Sequence, residues 1–220
     1  MSKQDEQREQ QVKEEVKKPN ETQGVHMEGH IKIFDPESKE VIIDKRNAIH
    51  YENMSISLAE SLANEGRGNI VEMAFGNGAT TVDPTGIITY LTPNNSGVNA
   101  SLYNQTYYKT VDDNNVNNTD PARNFIETRH TLGTTYTDIL ISCLLDYGEP
   151  SGQEAFDNST DMDGNFVFDE IGLKAYSPNG ANEGRLLTHV IFHPVQKSLN
   201  RLIQIDYTIR IQSLTNLSEI

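Results

Sequence analysis

The chain has 220 residues, 35% of them hydrophobic, and a formal charge of −14. That length suits one large β domain, and the low apolar fraction implies a generous polar surface. An excess of carboxylates repels phosphates, so nucleic acid and anionic membrane are not expected partners, and other proteins are.

Residues 1–25 are read as a polar N-terminal arm, disordered or extended, and residues 26–220 as the folded domain. Gln, Glu and Lys dominate the arm, and Val12, Val16 and Val25 are its aliphatics. Such a stretch buries too little area to offset its ordering entropy, although its residues favour helix and can order against a partner. The opening Met1-Ser2-Lys3-Gln4-Asp5-Glu6 has no apolar h-region, so no secretory signal is expected and folding in a cytoplasm is.

From Glu28 the pattern becomes short β-type runs divided by turn chemistry. His30-Ile31-Lys32-Ile33-Phe34 stops at Asp35-Pro36, and Glu40-Val41-Ile42-Ile43-Asp44 answers it, which predicts a hairpin. A helix is predicted over Asn53–Asn64, capped by Asn53, stopped by Gly66, and packed through Ile56, Ala59, Leu62 and Ala63. Strands are then predicted at Ile70–Phe75, Ile87–Leu91, Phe125–Thr128, Thr137–Leu145, Phe166–Leu173, Leu186–Phe192 and Leu202–Ile211. The last alternates cleanly, with Ile203, Ile205, Tyr207, Ile209 and Ile211 opposite Gln204, Asp206, Thr208, Arg210 and Gln212, as on a half-buried strand. Many strands with one short helix predict an all-β, antiparallel, jelly-roll-like β-sandwich.

The chemical motifs are sparse. Asp161, Asp163 and Glu170 fall at positions three, five and twelve of an EF-hand-like loop centred on Gly164, a candidate Ca²⁺ site to which Asp157 could contribute. Ser159 stands where the first carboxylate belongs, and strand rather than helix follows, so a plain Asp-Gly-Asn turn competes with it. Phe75-Gly76-Asn77-Gly78 lacks the lysine of a phosphate loop and reads as a tight turn. His189 and His193 lie too far apart along a strand to share a metal. Cys143 sits in an apolar run and reads as a packed, inert thiol. Tyr90, Tyr103, Tyr107 and Tyr108 could form a sugar-binding platform, or fill core and interface. No catalytic residues are singled out, and a non-enzymatic protein is expected.

Five segments resemble virion structural proteins of contractile-tailed phages, including those of marine hosts. They are Val41–His50, Phe75–Gly78, Leu102–Thr106, Phe168–Leu173 and Leu187–Phe192. The Phe168–Leu173 phrase is also similar to β domains of collar and tail-fibre proteins. The resemblance spans about residues 28–214 and implies a structural role in the virion, at the neck, collar or tail. Other virion proteins are the implied partners, with copies of the chain arranged in a ring or lattice. The arm would suit threading onto an adjacent subunit. Alternatives are a capsid decoration protein and a receptor- or carbohydrate-binding fibre module.

Overall fold

The computed structural model describes residues 24–151 and 165–214. Eleven strands are seen there: β1 (Gly24–Phe34), β2 (Val41–Ile49), β3 (Ile70–Gly76), β4 (Thr80–Val82), β5 (Ile88–Tyr90), β6 (Gln105–Thr110), β7 (Phe125–His130), β8 (Tyr136–Leu145), β9 (Asn165–Ala175), β10 (Thr188–Ser198) and β11 (Ile203–Leu214). One helix, α1 (Tyr51–Leu62), interrupts them.

Nine strands join in one curled antiparallel sheet of order β6-β3-β9-β10-β2-β1-β11-β8-β7, and β4 and β5 form a separate ribbon. The expected all-β, sandwich-like fold is what the chain adopts. Between β10 and β2 the ladder holds only two residue pairs, Thr188–Ile49 and His189–Ala48. That short ladder divides the sheet into a four-stranded leaf (β6-β3-β9-β10) and a five-stranded leaf (β2-β1-β11-β8-β7). The leaves fold over one core. Phe75, Phe166, Phe168 and Phe192 enter it from the first, and Ile31, Ile33, Ile141, Ile205 and Tyr207 from the second.

The predicted β1–β2 hairpin forms. Its corner is held by the Asp35 carboxylate, which accepts from the N–H groups of Glu37 (2.9 Å) and Ser38 (3.0 Å). β1 begins at Gly24, so the strand takes in the last two residues assigned to the arm. β4 and β6 were not predicted. β6, Gln-Thr-Tyr-Tyr-Lys-Thr, carries no aliphatic residue, and its packing comes from aromatic contact with β3 and β9.

The helix is present but turned differently. His50, not Asn53, caps it: His50 Nδ1 accepts from the Asn53 N–H at 3.2 Å while Nε2 donates to the Gly97 carbonyl at 3.0 Å. Asn53, Met54 and Ser57 face inward, whereas Ala59 and Ala63 are exposed and Leu62 is 87% exposed. Buried Asn53 donates to the Leu186 carbonyl at 2.9 Å, so a tertiary hydrogen bond outweighs the apolar spacing that predicted the opposite face.

Candidate functional site

The most elaborate polar constellation among the described residues sits where the alternation of β9 changes phase. Phe166 and Phe168 belong to the core, and so do Ile171, Leu173 and Ala175. A regular strand cannot place both sets inward, so the pleat is interrupted at Asp169-Glu170. The neighbouring β10 carries a register shift there, between Ile191 and Val195. The interruption leaves two consecutive carboxylates buried and free to reach the flanking loops.

Glu170 is wholly buried. Its Oε1 accepts from the N–H groups of Asn104 (2.9 Å) and Gly78 (3.2 Å). Its Oε2 accepts from the Tyr103 N–H (2.9 Å) and from His189 Nε2 (2.9 Å). The tautomer of His189 follows from its partners, because the Asn94 N–H donates to Nδ1 at 2.8 Å and leaves the proton on Nε2. Burial pushes the Glu170 carboxyl upward, but the bonds from His189, Asn104 and Tyr103 outweigh it and hold the group below the ordinary glutamate value.

The glycines of Gly76-Asn77-Gly78 are explained by this carboxylate. A Cβ at Gly76 would lie 2.4 Å from Glu170 Oε1 and 2.5 Å from the Asn104 carbonyl oxygen, and one at Gly78 would lie 2.7 Å from Asn104 Cβ. The turn is glycine-rich so that backbone can approach the carboxylate. Asp169 completes the clasp, accepting from the N–H groups of Ala79 (3.1 Å) and Thr80 (2.8 Å) and from the Thr80 hydroxyl. Burial dominates at Asp169 and raises its pKa.

Two further anchors repeat the design. Lys174 Nζ donates to Asn182 O (2.7 Å), Asn182 Oδ1 (2.8 Å) and Gln105 Oε1 (3.1 Å), while buried Glu72 accepts from the Asn182 N–H. Lys197, 0% exposed, donates to the carbonyls of Glu149 (2.7 Å), Ser198 (2.8 Å) and Asp146 (2.9 Å). Desolvation lowers the Lys197 pKa to about 8. All three ammonium protons have acceptors, so the side chain fixes the 146–149 loop as a cation at neutral pH.

The residues singled out by sequence are distributed as follows. Glu170 stands in the clasp with both oxygens engaged by backbone and histidine donors, whereas Asp161 and Asp163, with Asp157, lie outside the described residues. No group of three or more His, Cys, Asp or Glu is placed to hold a metal ion among the described residues. His189 is buried in the clasp, and His193 is exposed with Nδ1 3.3 Å from the Tyr90 hydroxyl, so the two histidines part company. Cys143 is fully buried and burial pushes its thiol up to about 12.

The tyrosines do not form one platform. Tyr107 is buried against Phe75 and Phe166, with ring centroids 5.9 and 6.3 Å away, while Tyr90 and Tyr103 are exposed elsewhere. Sequence reasoning missed the clasp. Its available signal was Asp-Glu in the middle of an apolar strand, a pair that only tight bonding makes tolerable there.

Five segments singled out by sequence meet around this clasp. Phe168–Leu173 supplies the carboxylates, Phe75–Gly78 and Leu102–Thr106 supply N–H donors, and Leu187–Phe192 supplies His189. Val41–His50 pairs Ala48 with His189 and sends the His50 N–H to the Leu187 carbonyl at 2.9 Å. Comparison with family models, curated proteins and solved structures finds no match for the chain.

Proposed function

We propose that the chain is a structural component of a phage virion that makes protein–protein contacts at the neck, collar or tail. The observation that carries this reading is the clasp. The segments resembling virion proteins converge on it, and its carboxylates are engaged in holding three separate segments, Gly78–Thr80, Tyr103–Asn104 and the start of β10 at His189. Groups so engaged are poorly disposed for acid–base chemistry, which needs a proton-accepting atom open to substrate. They are well suited to holding loops in one shape for contact with neighbours. The acidic charge keeps such a subunit soluble before assembly.

The test is electron cryomicroscopy of purified particles of the encoding virus, with mass spectrometry of their proteins. Density matching the two-leaf sheet at the neck, collar or tail in a symmetric ring supports the proposal. Density on the capsid shell replaces it with the decoration role, and absence from intact particles overturns it.

A further inference from the structure

Between α1 and the inner face of the five-stranded leaf runs a trough of about 580 Å³. Met27, Met54, Leu58, Ile126, Ile139 and Ile211 wall it with apolar surface. Ile126, Ile139 and Ile211 are only partly buried, packed against the edge of the core. At the trough's helical wall stands Ser57, 2% exposed, whose Oγ has no hydrogen-bond partner among the described residues. A buried hydroxyl without a partner is uncommon, and here it points to an occupant that brings a polar group into an apolar slot. Asp112 and Asp113 lie at the rim, favouring an occupant with positive charge.

We infer that the occupant is residues 11–18 of the chain's own N-terminal arm. Three independent features agree on it. Val12 and Val16 are four apart, so that on a helix they would present one apolar edge to the trough. Lys13, Lys17 and Lys18 outnumber Glu14 and Glu15, matching the acidic rim, and the peptide backbone offers Ser57 a partner. Connection is the third: β1 starts at Gly24, three residues before Met27 on the trough wall. Residues 19–23 span at most about 17 Å, enough to turn back over roughly 10 Å of strand, and Pro19, Asn20 and Gly24 are turn-forming residues. Tethering supplies an effective concentration on the order of millimolar, so a modest contact area suffices. This docking does not depend on the virion role, since it concerns the free chain.

Hydrogen–deuterium exchange on the full-length protein tests it, comparing the wild type with a Val12→Asp/Val16→Asp variant. Amides of Met54–Leu58, Ile126–Thr128 and Ile209–Ile211 are expected to exchange about tenfold faster in the variant. Amides around Glu170 should be unchanged, which establishes that the fold is intact. The reciprocal Ile126→Glu change should deprotect residues 11–18 to a similar degree. Unchanged exchange at the trough in the double variant overturns the inference, as do arm amides that exchange in the wild type at the rate of an unstructured chain. Protection that appears only at concentrations where the chain dimerises assigns the trough to a second copy's arm and overturns the docking within one chain.

Discussion

The two leaves of the sheet solve the problem of burial differently. In the five-stranded leaf β1 and β11 alternate: one face enters the core and the other carries polar side chains, among them an Arg210–Asp138 pair at 2.8 and 2.9 Å. In the four-stranded leaf β3 and β9 are buried almost throughout. Their second face is covered by loops, with Ala74, Leu102 and Leu186 packed there as a small separate cluster. Loops bring backbone polar groups with them, and these must be paired when water is excluded. Glu170, Asp169, Glu72, Lys174 and Lys197 do that pairing. Charge is thus structural where both faces are covered and peripheral where one is wet.

The largest expected effect separates these two uses of charge. Glu170→Ala removes the acceptor of three backbone N–H groups and of His189, and should cost about 3–5 kcal/mol in urea unfolding. Glu127→Ala, on exposed β7 with its partner Arg129, should change stability by less than about 0.5 kcal/mol. Equal effects would erase the distinction between the leaves.

The helix gives the next contrast. Met54→Ala should cost about 2–5 kcal/mol, because Met54 is buried in the core, whereas Leu62→Ala should stay within about 0.5 kcal/mol. A large loss at Leu62 would mean that the face predicted from apolar spacing is the packed one after all.

Titration sharpens the comparison further. Lys197 has a folded pKa of about 8 against an ordinary 10.5. Between those values the unfolded chain binds more protons, so wild-type stability should rise relative to Lys197→Met as pH goes from 8 towards 10. Denaturant midpoints across that range would measure it, and parallel profiles would remove Lys197 from the account. Glu170 works at the acid end. Its folded pKa lies below the ordinary value, so its stabilisation is present above that ordinary value and lost as pH falls through the folded one. Relative to Glu170→Gln, the wild type should therefore lose its advantage on acidification.

The smallest effect belongs to the wet face. Arg210 pairs with Asp138 and lies 3.9 Å from the Tyr136 ring centroid, yet it remains solvated, so Arg210→Ala should cost about 0.5–1 kcal/mol and less at high salt. A salt-independent loss of several kcal/mol would show that this face is covered too.

Much of the fold was legible beforehand, and the reason differs by leaf. Tyr207 and Ile209 could be assigned inward because a strand with one wet face writes its burial as a period of two. The doubly covered β9 has no such signature. Local pattern reads Phe166–Leu173 as one strand straight through Asp169-Glu170, with Glu170 also offered, beside Asp161 and Asp163, as a candidate cation ligand in competition with a plain turn. What places Glu170 is contact with Gly78, 92 residues earlier, and with Asn104, 66 residues earlier. No local pattern encodes either. For Tyr107 the sequence left open a sugar-binding platform or a place in the core, and the pairing of its strand with β3, which puts its ring against Phe75, decides for the core.

By itself the sequence determined the elements: the hairpin, the helix after it, most strands, and an all-β class, since alternation and turn residues act within a few positions. The tertiary structure alone decided the strand order, the two leaves hinged at Thr188 and His189, the inward face of α1, and the partners of every buried charge. Those depend on groups far apart in the chain, and on a free energy that exists only once water has been excluded around them.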